Sequence, residues 1–76
     1  MKKTTIWLID IDGTVCEDIP NEEAHRFSTA TVLPGALDKV MELYNSGGRI
    51  TFFTSRTHEH SEVTEDWLIK NGFPFE

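Results

Sequence analysis

Apolar and polar positions alternate along these 76 residues in blocks that spell out a short α/β unit. Ile6-Trp7-Leu8-Ile9 is a continuous apolar run of strand length that ends in Asp10-Ile11-Asp12-Gly13-Thr14. Ile6 and Leu8 point to one face of such a strand and Trp7 and Ile9 to the other, the pattern of a strand buried on both sides. The polar stretch after it predicts a flap and connecting loop over about residues 14–33. Pro34 suits a helix start. Leu37, Val40, Met41 and Tyr44 then recur at i, i+3, i+4 and i+7 before Gly47-Gly48 stops the pattern. Arg49–Phe53 predicts a second strand. A second helix follows over about residues 58–71, with Val63, Trp67 and Leu68 inward and Gly72 as its stop. Periodicity makes Trp7 and Trp67 core residues.

The order β-α-β-α predicts an α/β fold with a Rossmann-like parallel sheet and a small flap after the first strand. Right-handed crossovers stepping one way across such a sheet put both helices on one face. The other face is then apolar and uncovered, which invites association. Either a second copy covers it, giving a homo-oligomer, or residues 1–76 are a single incomplete domain of a longer chain.

Composition narrows the function classes. With 38% apolar and 11% aromatic residues the chain is globular in composition. A net charge of −6 argues against non-specific nucleic-acid or anionic-membrane binding, both of which need a basic face. No apolar segment approaches membrane-spanning length. One cysteine allows no internal disulfide, so the expected compartment is the reducing cytoplasm.

The chemistry sits at the two strand ends. Asp10 and Asp12 stand one residue apart where a parallel strand delivers side chains to the ligand-binding edge of an open sheet. Two carboxylates there repel unless a cation or a shared proton relieves them. Asp12-Gly13 also reads as a hairpin turn, with Thr14-Val15-Cys16 returning over the site. The second strand runs into Thr54-Ser55-Arg56. If the strands are parallel neighbours, Thr54 arrives at the same edge as Asp10. A hydroxyl and a strand-end N–H can hold a phosphoryl oxygen, and an arginine can bind one bidentately. Arg56 can equally be a structural contact, and Thr54-Ser55 a helix N-cap cluster. His58, Glu59, His60 and Glu62 read as a polar first helical turn, with a metal site on the i, i+4 pair His58 and Glu62 as the lesser alternative. His25 reads as a solvated loop residue that could instead face substrate, Cys16 as a partly buried structural thiol in the flap, and Lys70 as a helix C-terminal cation.

Together the two segments resemble the haloacid dehalogenase-like superfamily of phosphohydrolases. Asp10-Ile11-Asp12-Gly13-Thr14 matches the first motif of that family, and Phe52-Phe53-Thr54-Ser55-Arg56 matches the second. The resemblance implies that Asp10 is a nucleophile forming an aspartyl-phosphate and that Asp12 is the general acid/base. Thr54, with Ser55, Arg56 and Gly13 around it, would bind the substrate phosphate. Mg²⁺ would be held by the Asp10 carboxylate and the Asp12 backbone carbonyl. The implied function is a Mg²⁺-dependent phosphomonoesterase acting on a phosphorylated small molecule or on the phosphate end of a polynucleotide or protein.

Family members also carry a lysine and further acids on later strands, and no counterpart is legible before Glu76. The expectation is a core truncated before its third strand and nearly inactive alone. The alternative is a non-catalytic binding or assembly module that keeps the fold.

Overall fold

A computed structural model describes residues 4–75. The element order is β1 (Ile6–Asp10), a 3₁₀ helix (Asn21–Thr29), α1 (Ala36–Asn45), β2 (Arg49–Phe53), a short 3₁₀ turn (His58–His60) and α2 (Ser61–Lys70). The two strands pair in parallel, in the register Ile6 with Arg49 through Asp10 with Phe53. This is the expected β-α-β-α fold with its two-stranded parallel sheet.

Register decides which face each side chain takes. Trp7, Ile9, Ile50 and Phe52 share one face, and Ile6, Leu8 and Phe53 share the other with Arg49, Thr51 and Asp10. Only the first face meets the core, where Ile50 packs with Val40 of α1 and with Trp67 and Leu68 of α2. The second face is bare, with Ile6 61%, Leu8 69% and Phe53 52% exposed. The expected uncovered apolar face is present.

Helix ends follow local chemistry. Leu33-Pro34-Gly35-Ala36 forms a type II turn, closed by the Ala36 N–H on the Leu33 carbonyl at 3.1 Å. Gly35 takes the φ of 80° that this turn requires, so α1 begins after Pro34 instead of on it. The helix ends in a Schellman motif, with the Gly48 N–H on Leu43 O and the Gly47 N–H on Tyr44 O. The same pair of bonds ends α2, from Phe73 to Leu68 O and from Gly72 to Ile69 O.

Gly48 is also a packing requirement. A Cβ there would lie 2.7 Å from the Trp7 ring and 2.9 Å from Leu43 O. Gly48→Ala is therefore expected to destabilise the fold by about 1–3 kcal/mol, the usual cost of overpacking, and thermal melting will show it.

Three expectations need correction. The segment expected to be a loop contains the 3₁₀ helix Asn21–Thr29, anchored by the fully buried Phe27. Tyr44 is 50% exposed; the inward side of α1 is Val40 with Ala36, Leu37 and Leu43 packed around it. Trp7, expected in the core, is 39% exposed at the rim beside Gly48. The last two share a cause. A sheet of two strands is narrow, so residues at its margin keep one side in water.

Candidate active site

The parallel register brings the two strand ends to one edge. Asp10 pairs with Phe53, so Thr54 follows the last pair of the ladder directly beside Ile11. Beyond Asp10 the chain wraps tightly around the Ile11 carbonyl, which accepts the N–H groups of Thr14 (3.1 Å), Val15 (3.0 Å) and Cys16 (3.4 Å). Gly13 sits in this wrap at φ 78°, a conformation that favours glycine, and its N–H is spent on Cys16 O at 2.9 Å. Gly13 thus shapes the turn. Its amide is committed within the protein.

The turn does not return as a strand beside β1. Cys16 makes isolated bridges to Asp12 and, antiparallel, to Val32, the latter flanked by Glu17 N–H to Thr31 O and Leu33 N–H to Val15 O, both 3.0 Å. This pairing closes the base of the flap.

Glu17 reinforces that base from its side chain. It accepts the Thr31 N–H at 3.0 Å and the Arg26 guanidinium at 2.6 Å. The bond from the Thr31 backbone, helped by Arg26, holds the Glu17 carboxyl below its ordinary value. A depressed carboxyl contributes stability above its unfolded pKa, and that contribution is lost as pH falls through the folded value. Thr31 amide exchange should therefore accelerate, relative to core amides, on acidification below the usual glutamate range. Glu17→Gln should show the faster exchange already at neutral pH.

The Asp10 carboxylate is half-buried, with Oδ1 accepting the N–H of Ile11 at 2.9 Å. This short-range bond orients the side chain at the strand end. Asp12 is held quite differently. Arg56 forks onto it, with Nη2 2.7 Å from Oδ1 and Nε 3.0 Å from Oδ2, and the two side chains are 2% and 12% exposed. The remaining contacts of the guanidinium are Nη1 to Thr64 Oγ1 at 3.0 Å, Nη2 to Cys16 Sγ at 3.7 Å, and the Phe27 ring, whose centroid lies 3.9 Å from Cζ. Of the two roles open to Arg56, the structure shows the structural contact. The guanidinium is turned inward and fully engaged.

Thr54 is half-buried, and its Oγ1 accepts the Arg56 backbone N–H at 3.0 Å. That bond is local to the strand end and does not cap α2, whose N-cap residue is His60. Among the described contacts the hydroxyl hydrogen of Thr54 is given to no protein acceptor. Ser55 is exposed. A cavity of about 460 Å³ opens beside Thr54, with Ile11, Phe52, Leu68 and Phe75 among its walls.

Burial pushes the Cys16 thiol up to about 11, with the nearby Asp12 charge acting in the same direction. Cys16 is fully buried, beyond the partly buried flap thiol expected, and a thiol raised this far stays protonated and unreactive at neutral pH. His25 and His58 are exposed. Among the described residues no cluster of three or more His, Cys, Asp or Glu side chains could hold a metal ion. None of the helices of the described residues is long and apolar enough to cross a membrane.

Thr64 and Phe27 were not singled out in the sequence, although each left a trace. Thr64 is a polar residue in the inward stripe of Val63, Trp67 and Leu68, and Phe27 is the largest apolar side chain of the polar segment.

Comparison with known proteins gives partial likenesses. The chain is 38% identical over 48 residues to a protein of Bacillus cereus named "Putative nucleotidase", covering 63% of this chain and 25% of that protein. A protein of the same description from Oceanobacillus iheyensis is 40% identical over 48 residues, with 63% and 26% covered. Acid phosphatase 1 of Solanum lycopersicum is 25% identical over 84 aligned positions, with 90% and 33% covered. The chain thus spans about a quarter to a third of the length of the curated relatives it matches. No family model matches, and no solved structure matches. At a coarse level these relatives carry phosphatase and nucleotidase names.

Proposed function

We propose that this chain carries the nucleophile half of a Mg²⁺-dependent phosphomonoester hydrolase acting through an aspartyl-phosphate on Asp10. The observation that supports it most is the register that sets Asp10 and Thr54 at one edge of a parallel sheet. Phosphoryl transfer is catalysed mainly by positioning and by charge stabilisation, so a nucleophile and a hydroxyl donor fixed on adjacent strand ends is what the reaction needs first.

In this reading an Asp10 oxygen attacks phosphorus in line while the Thr54 hydroxyl donates to a phosphoryl oxygen. Asp12 protonates the leaving alkoxide and then deprotonates the water that cleaves the aspartyl-phosphate. The donor set suits a hard cation: one Asp10 carboxylate oxygen and the Asp12 backbone carbonyl, leaving room for waters and for the substrate's own oxygens. Mg²⁺ bound there would neutralise charge on the phosphoryl group and nucleophile. Among the candidate substrates, the names of the relatives favour a nucleoside monophosphate.

Phosphate release from nucleoside monophosphates and p-nitrophenyl phosphate is the test, with Mg²⁺ and with EDTA. Turnover is expected to be slow, to need Mg²⁺ and to need Asp10. A binding measurement complements it: beryllofluoride, which mimics a phosphoryl group on a carboxylate, should give a Mg²⁺-dependent bound ¹⁹F signal that Asp10→Asn removes. Beryllofluoride and phosphate binding without Asp10-dependent turnover would instead favour a non-catalytic binding module. Neither binding nor turnover would reject the phosphohydrolase reading.

A further inference from the structure

We propose that Arg56 is the positioning residue for Asp12, and that Oδ2 is the Asp12 oxygen that gives and takes the proton; this rests on the phosphohydrolase reading above. A carboxylate offers about four lone-pair sites, and a forked arginine occupies one on each oxygen. The two oxygens of Asp12 are not equivalent after that. Oδ1 takes the shorter Arg56 bond at 2.7 Å and also faces the Cys16 thiol at 3.8 Å. Oδ2 meets only Nε of Arg56, at 3.0 Å, among the described contacts. Its second lone pair is the one left for chemistry.

The clamp also fixes the rotamer of Asp12, because Arg56 is itself held from three sides. Thr64 of α2 receives Nη1, the Phe27 ring of the flap helix lies under the guanidinium, and Cys16 closes the third side. Thr64 in turn donates to the His60 carbonyl at 2.8 Å, tying the clamp to the 3₁₀ turn that leads into α2. The acid at the end of β1 is therefore aimed by elements that arrive 15 to 52 residues later in the chain (Phe27 and Thr64).

Each step balances. In the first, an Asp10 oxygen bonds to phosphorus, the ester P–O bond breaks, and the proton that Oδ2 has taken up from the phosphomonoester monoanion passes to the departing alkoxide to give the alcohol. In the second, a water oxygen bonds to phosphorus, its proton goes to Oδ2, and the acyl P–O bond breaks to restore the Asp10 carboxylate. The role of Arg56 is to keep Oδ2 within reach of both oxygens in turn.

The experiment compares two leaving groups at saturating Mg²⁺. p-Nitrophenolate departs as the anion, whereas an alkoxide such as that of glycerol 2-phosphate needs the proton. Arg56→Lys keeps the charge but cannot fork. It should lower kcat on glycerol 2-phosphate by about tenfold or more beyond its effect on p-nitrophenyl phosphate, with KM little changed, as expected for a misplaced proton donor. Thr64→Val, which removes one support of the clamp, should show the same leaving-group pattern at smaller amplitude, and it decides the matter if Arg56→Lys fails to fold. Arg56→Lys added to Asp12→Asn should cost nothing further on the alkyl substrate. Equal losses on both substrates, no loss, or additive losses in the double variant would overturn the assignment while leaving the phosphohydrolase reading intact. A wild-type chain without Asp10-dependent hydrolysis of either substrate would overturn both.

Discussion

Replacing Asp10 with Asn is expected to remove phosphomonoesterase turnover altogether while leaving the fold unchanged. The carboxamide keeps an oxygen to accept the Ile11 N–H that Oδ1 accepts now at 2.9 Å, so the strand end retains its local bond. An amide cannot form an acyl-phosphate, so the covalent route is closed at its first step. Asp12→Asn should behave differently. It should lose about 10²–10⁴-fold in rate, the usual range for a general acid/base. It should also lose stability, because the amide cannot balance the buried Arg56 guanidinium; breaking a buried pair from one side costs about 3–5 kcal/mol. Initial rates with glycerol 2-phosphate, whose alkoxide needs the proton, read beside thermal melts, separate the two variants. Asp10→Asn with wild-type turnover would end the aspartyl-phosphate assignment.

This contrast also marks what the sequence discloses and what it hides. Both strands are legible because each is a short apolar run ending at polar residues, and the helix pattern between them is what makes them parallel. The stops at Gly47 and Gly72 are legible because a positive φ after a helix favours glycine. The 3₁₀ helix Asn21–Thr29 is not, since its order comes from Phe27 in the core and from Arg26 reaching Glu17 and Glu23, none of which is a periodic signal. The inward turn of Arg56 is hidden for a related reason. Its partner Asp12 lies 44 positions away, and only the completed fold shows that a basic residue after a strand end neutralises one of the two acids instead of facing solvent.

The second large effect is expected in association state. Ile6, Leu8 and Phe53 line one face of the sheet, and all three are more than half exposed. In the register Ile6 and Leu8 neighbour each other along β1, Phe53 lies diagonal to Leu8 beside Thr51 and Asp10, and nothing among the described residues covers these apolar side chains. In a sample of purified chain the available cover for them is a second copy, which offers the same apolar surface. A 76-residue domain has a stability of only a few kcal/mol to set against this exposure. Sedimentation at micromolar concentration should therefore show dimers or larger species whose proportion rises with concentration. Leu8→Thr together with Ile6→Thr puts β-branched, strand-compatible residues at both positions and removes most of the exposed apolar surface. That variant should sediment as a monomer and retain the melting behaviour of the fold, because both positions lie outside the core. The substituted residues sit on β1 upstream of Asp10, so the Asp10-dependent ¹⁹F signal should survive in the monomer if each copy carries its own site. A wild-type chain that stays monomeric across the concentration range would show that this apolar surface is tolerated in water. Loss of the ¹⁹F signal on dissociation, with folding intact, would show that the site is completed across the interface.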